Sequence, residues 1–207
     1  SANNYTYDAI GNLTGDVKDG TTSVVWNVFG KITEIQRTPT VDNPVNNIQY
    51  TYDAQGLRIS KRITKNTTST IEYTWYVRDA AGNVLSTYTS TGTGTTLTGY
   101  SVSLTEQHLY GSARVGVLPR TGVDMKTAFI PGNYRTYNRG LKIYELTNHL
   151  GNVMVTISDK KTGHNAGGGV IDFYEAEVVN ANDYFPFGMQ TPGRKFSSVS
   201  NYQYGFN

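Results

Sequence analysis

The chain has 207 residues, no cysteine and a formal net charge of +2. That balance excludes disulfides, thiolate metal sites and cysteine nucleophiles, and it gives no broad field to attract nucleic acid or an anionic membrane. Its 16 tyrosines and 22 glycines, with abundant threonine and few helix formers, specify an all-β fold. Tyr and Thr suit a half-buried pleated surface, and Gly suits the turns between strands.

The predicted elements begin at once. Y-T-Y-D-A-I-G-N-L occupies residues 5–13, and Y-T-Y-D-A-Q-G-L-R occupies residues 50–58. V-V-W-N-V-F-G-K-I at residues 24–32 is a looser copy, and W-Y-V-R-D-A-A-G-N-V at residues 75–84 is another. The shared pattern is an aromatic strand, an Asp or Asn, two variable residues and a Gly. Tyr7, Asp8 and Gly11 carry it first, then Trp26, Asn27 and Gly30, then Tyr52, Asp53 and Gly56, then Asp79 and Gly82. These glycines fall 19 to 26 residues apart, a spacing suited to stacked hairpin units. In each unit the Asx side chain accepts hydrogen bonds from the turn, and Gly takes the positive φ that closes it. The apolar residues Leu13, Ile32 and Val84 then start the return strands.

Residues 57–66 alternate as a strand, with Leu57, Ile59 and Ile63 on one face. Its four basic residues read as a solvated face rather than a binding patch. Residues 89–99 read as a polar loop, and residues 118–140, with Pro119 and Pro131, as an irregular connection. In Y-E-L-T-N-H-L-G-N-V-M-V-T-I-S-D, at residues 144–159, Asn148 and Gly151 repeat the Asx-to-Gly spacing, so the stretch reads as another hairpin turn.

Enzyme readings find little support in the sequence. His149 stands beside Asn148, but the three histidines, His108, His149 and His164, are scattered with no metal-ligand spacing. T-G-H-N-A-G-G-G-V at residues 162–170 is glycine-rich without the Gly-Lys-Ser/Thr of a phosphate loop, and reads as a flexible turn. Glu175 and Glu177 share a strand face and nominate no facing pair for glycoside hydrolysis. No catalytic, metal-binding or cofactor-binding residue is assigned. The aromatic content leaves sugar stacking open as a rival use of the same surface.

With the repeats in view, the sequence resembles the Rhs/YD-repeat family, bacterial relatives of the C component of insecticidal Tc toxins and of the animal teneurins. The resemblance rests on the tyrosine-aspartate-glycine units and on two motifs of the Rhs repeat-associated core. N-H-L-G-N-V-M-V-T-I-S-D at residues 148–159 supplies Leu150, Asn152, Val153 and Asp159, and D-Y-F-P-F-G at residues 183–188 supplies Tyr184, Pro186, Phe187 and Gly188. The form L-T-N-H-L-G-N-V is most similar to Bacteroidetes versions. In that family β-hairpins spiral into a hollow shell around a C-terminal toxin. The D-P-x-G-L cleavage motif of many members is absent from this sequence.

The expected architecture is therefore a curved or spiralling sheet of successive antiparallel hairpins, a partial shell. Residues 1–117 form YD-repeat hairpins, residues 118–140 the irregular connection, and residues 141–207 the core segment continuing the same sheet. The resemblance implies a non-enzymatic encapsulating scaffold in a secreted or surface-exposed bacterial protein. Its partners would be other parts of a larger shell, or a chain that completes the sheet, and an effector cargo. The rival is a cell-surface adhesin or carbohydrate-binding module. With so few units and no signal peptide, the chain reads as a fragment or as a small variant that needs a partner.

Overall fold

The structure, a computed structural model, describes residues 4–40, 44–65, 69–93, 101–125, 138–198 and 202–205. Among these residues there is no helix; there are fourteen strands, hydrogen-bonded in sequence order from β1 to β14 in one open sheet. The chain divides into two compact units, Ser1–Thr105 with Thr121–Pro131, and Glu106–Arg120 with Gly132–Asn207.

The first unit holds β1 (Tyr5–Tyr7), β2 (Leu13–Asp16), β3 (Thr21–Trp26), β4 (Ile32–Arg37), β5 (Asn47–Tyr52), β6 (Arg58–Lys65), β7 (Thr70–Arg78) and β8 (Val84–Thr93). Strand β7 shows why the segments extend. Its sequence T-I-E-Y-T-W-Y-V-R alternates, so Ile71, Tyr73, Trp75 and Val77 share one face. It pairs with β6 from Ser60↔Trp75 to Lys65↔Thr70 and with β8 from Thr70↔Thr93 to Arg78↔Val84. Strand β8 thus runs through Thr93, well into the stretch expected to be loop; residues 94–99 of that stretch lie outside the described residues. The Thr and Ser run pairs because Thr, like Val, suits the pleat.

The second unit holds parts of β9 (Ser103–Tyr110) and β10 (Arg114–Asp124), then β11 (Ile143–Thr147), β12 (Val153–His164), β13 (Phe173–Tyr184) and β14 (Gln190–Ser197). Strand β10 continues past Leu118, where the irregular connection was expected to begin, and ends at Asp124. Pro119, the residue that argued against a strand there, sits at an exposed position within it. The rest of that connection, 126–137, lies outside the described residues.

Among the described residues the buried apolar side chains are all β-branched: Val24, Ile71, Val117, Val123, Val153 and Val179. Buried hydroxyls accompany them at Thr21, Ser86, Thr87, Ser90, Thr156 and Ser158. Polar side-chain bonds between hairpins add to this apolar burial. The terminal strand β14 carries Pro192 and a register shift against β13, two features that blunt an edge.

Candidate functional site

Five hairpin corners share one geometry. At Asp8, Asn27, Asp53, Asp79 and Asn148 the backbone N–H donates to the carbonyl four residues on, at 2.9 to 3.0 Å. In each, the N–H of the following Gly (11, 30, 56, 82 or 151) donates to the Asx carbonyl at 3.0 to 3.2 Å. The Asx Oδ1 accepts two further turn N–H groups, at 2.8 to 3.0 Å. The five glycines all have φ between 67° and 90°. This is a three-residue loop closed by a left-handed glycine, with the Asx side chain satisfying two of its N–H groups. Asn148 therefore stands where the acids stand, and His149 lies exposed at the tip.

A sixth corner uses other residues. Phe185 N–H donates to Met189 O and Gly188 N–H to Phe185 O, the same backbone ring. No Asx is present; Pro186 presets the turn, and Phe187 takes φ 71°, 98% exposed. The motif residues Tyr184, Pro186, Phe187 and Gly188 are thus one strand end and its turn. The sequence did not identify them as a corner because Phe185 replaces the acid.

At four of the six corners the residue just before the corner has a separate task. Trp26 Nε1 donates to Leu13 O at 2.8 Å, and Tyr52 Oη donates to Ile32 O at 2.7 Å. The Arg78 guanidinium donates to Arg58 O at 3.1 and 3.2 Å, and Tyr184 Oη to Val153 O at 3.2 Å. Each acceptor is the first residue of the return strand of a preceding corner. The Asp or Asn closes its own corner, and the Tyr, Trp or Arg ties that corner to an earlier hairpin. Tyr7, before the first corner, is 60% exposed.

Asp159 caps a loop: its Oδ1 accepts from the N–H groups of Gly140 (2.6 Å) and Lys142 (3.2 Å). Glu177 accepts from Ser158 Oγ at 2.6 Å and from Lys160 Nζ at 3.3 Å. His164 Nδ1 lies 2.9 Å from Asp172 and its ring stacks on Phe173. No group of three His, Asp or Glu side chains among the described residues is placed to hold a metal.

The structure brings together one cluster that the sequence analysis missed. Glu145, its side chain 2% exposed, accepts from Arg114 Nε at 3.0 Å and from the Tyr202 hydroxyl. Tyr204 donates to Glu106, lies under the Arg114 guanidinium at 4.2 Å, and meets His108 edge-on. Burial first, and then the hydrogen bond and charge of Glu145, push the Tyr202 phenol far above its ordinary range, so it stays a donor.

The corner acids give a pH expectation. Asp8 is held below its ordinary value chiefly by the Asn12 backbone N–H, and Asp79 chiefly by the Asn83 side-chain amide. A depressed folded-state value stabilises above the unfolded one, about pH 4, and that contribution is lost as pH falls through the folded value. Urea midpoints measured from pH 6 to pH 2.5 should fall less steeply in Asp8→Asn/Asp79→Asn than in the parent. Equal acid slopes would contradict this assignment. The corners at Asn27 and Asn148 have no side-chain proton to gain.

No family model matches the sequence, and no curated protein matches it. Solved structures do. The crystal structure of TcdB2-TccC3 without its hypervariable C-terminal region is 15% identical, with a TM-score of 0.48 over 83% of this chain. The crystal structure of TcdB2-TccC3-TEV is 12% identical, with a TM-score of 0.46 over 89%. A Photorhabdus luminescens Tc holotoxin pore bearing a TccC3 mutation is 14% identical, with a TM-score of 0.49 over 90%. The chain spans 7 to 10% of the length of those chains. At these values the likeness decides neither family nor function.

Proposed function

We propose that the chain is a non-enzymatic scaffold, a segment of a larger β-shell that encloses a C-terminal effector and helps deliver it. The protein would be secreted or displayed on a bacterial surface. The observation that supports this reading is the corner-and-tie pattern. At the repeat positions the polar side chains hold backbone groups, as a wall requires, whereas a catalytic site needs groups aimed at a substrate. Strand β1, at one end of the sheet order, would pair with other parts of the shell or with a completing chain. An adhesin reading would rest on exposed aromatics such as Phe187 and Phe29, since Tyr73 and Trp75 stack on each other at 5.3 Å.

The test is protease protection in the native full-length protein. Polypeptide beyond Asn207 should resist cleavage until denaturant opens the sheet, and should be cleaved readily when expressed alone. A gene that stops at Asn207, or a following segment cleaved equally fast in both settings, would overturn the proposal.

A further inference from the structure

Residues 202–205 lie across the second unit and meet five successive strands. Tyr204 donates to Glu106 on β9, with His108 of the same strand edge-on to its ring at 5.4 Å. Arg114, which opens β10, covers the ring of Tyr204 and pairs with Glu145. Tyr202 donates to Glu145 on β11. Gly205 O accepts from the N–H of Val153, the first residue of β12, at 2.8 Å. Finally, a Cβ at Gly205 would stand 2.5 Å from Tyr184 Oη on β13, so a side chain there must displace the tyrosine tip.

These contacts have the composition of a recognition site. Two carboxylates receive two phenols at alternate positions, a guanidinium stacks on one ring, and a backbone N–H reads the carbonyl of a glycine packed against the Tyr184 tip. We propose that this face of β9–β13 is a binding track for an extended Tyr-x-Tyr-Gly peptide. The track is filled by residues 202–205 of the same chain, and that strap exchanges with the same segment supplied in trans. Glu145, its side chain 2% exposed, is costly to leave without its phenol donor, so a vacated track retains affinity for a replacement. The inference does not depend on the encapsulating role, because it concerns which segment occupies the track.

Hydrogen exchange on the 207-residue chain tests it. The Val153 amide reports the strap, and the Leu150 and Asn152 amides, both bonded to Asn148 Oδ1, report the neighbouring corner. Tyr202→Ala/Tyr204→Ala should speed exchange at Val153 by about ten-fold or more, with both corner amides unchanged. A synthetic peptide of residues 201–207 should then restore Val153 protection, and the same peptide with both tyrosines replaced by Phe should not. Unchanged Val153 exchange, equal loss at the corner, or failure of the peptide to restore protection overturns the proposal. Gly205→Ala is the second variant, should the first not fold. It should release Val153 through the clash with Tyr184 Oη, and Tyr184→Phe in the same chain should restore closure. Val153 exchange unaltered by Gly205→Ala also overturns it.

Discussion

Gly116→Ala should cost about 3 kcal/mol of stability, at the upper end of what overpacking a well-fitted contact does. Gly116 lies opposite Tyr144 where β10 pairs with β11. A Cβ there would stand 2.3 Å from Ile143 O and 3.1 Å from Tyr144 Cα, both backbone atoms that no rotamer change can move. The strands must part locally, and Val117, 2% exposed and paired with Ile143, loses its packing with them. The control is Gly111→Ala, whose Cβ meets only Val115 Cγ1 at 3.6 Å. That change should be neutral or slightly stabilising, because alanine loses less freedom on folding. Urea unfolding of both variants measures the contrast; equal midpoints would contradict the close approach of the two strands.

Glu145→Ala should cost about 3 kcal/mol, because it strands Arg114 and the Tyr202 hydroxyl together. Arg114 keeps some access to water, with a side chain 25% exposed, which holds the loss to the lower end of the range for a broken buried pair. Glu145→Gln keeps an acceptor but loses the charge, and should cost about 1 to 2 kcal/mol. The exposed pair Arg194–Asp183, with side chains 71% and 42% exposed, sets the comparison. Asp183→Asn should change stability by less than about 0.5 kcal/mol. In Glu145→Gln the Tyr202 phenol should also ionise at lower pH, since one cause of its elevation is gone while burial remains. A loss for Glu145→Ala no larger than for Asp183→Asn would show that the cluster is not a structural clamp.

What the sequence made legible, and what it did not, follows from how local each interaction is. The five Asx corners could be read because their bonds close within five residues, so spacing alone carries the geometry. Asn148 and Gly151 were recognisable for that reason even with His149 and Leu150 between them. The ties were hidden because Trp26, Tyr52 and Arg78 share only a donor at the right reach, not a residue type. Strand β10 was missed beyond Leu118 because Pro119 suggests a break, whereas an exposed position in the strand tolerates it. The clamp had no sequence signal at all. Its partners lie 57 and 98 residues apart, and an isolated Glu or Tyr looks like any surface residue until the fold brings it under cover.

One corner device recurs along the sheet, and Asn148 stands at its fifth copy. The direct measurement compares urea stability of Asn148→Asp and Asn148→Ala with the parent at neutral pH. Asn148→Asp keeps an acceptor for Leu150 and Asn152 and should stay within about 0.5 kcal/mol, while Asn148→Ala should lose about 1 to 2 kcal/mol. An alanine variant as stable as the parent, or an aspartate variant as damaged as the alanine one, would contradict the account.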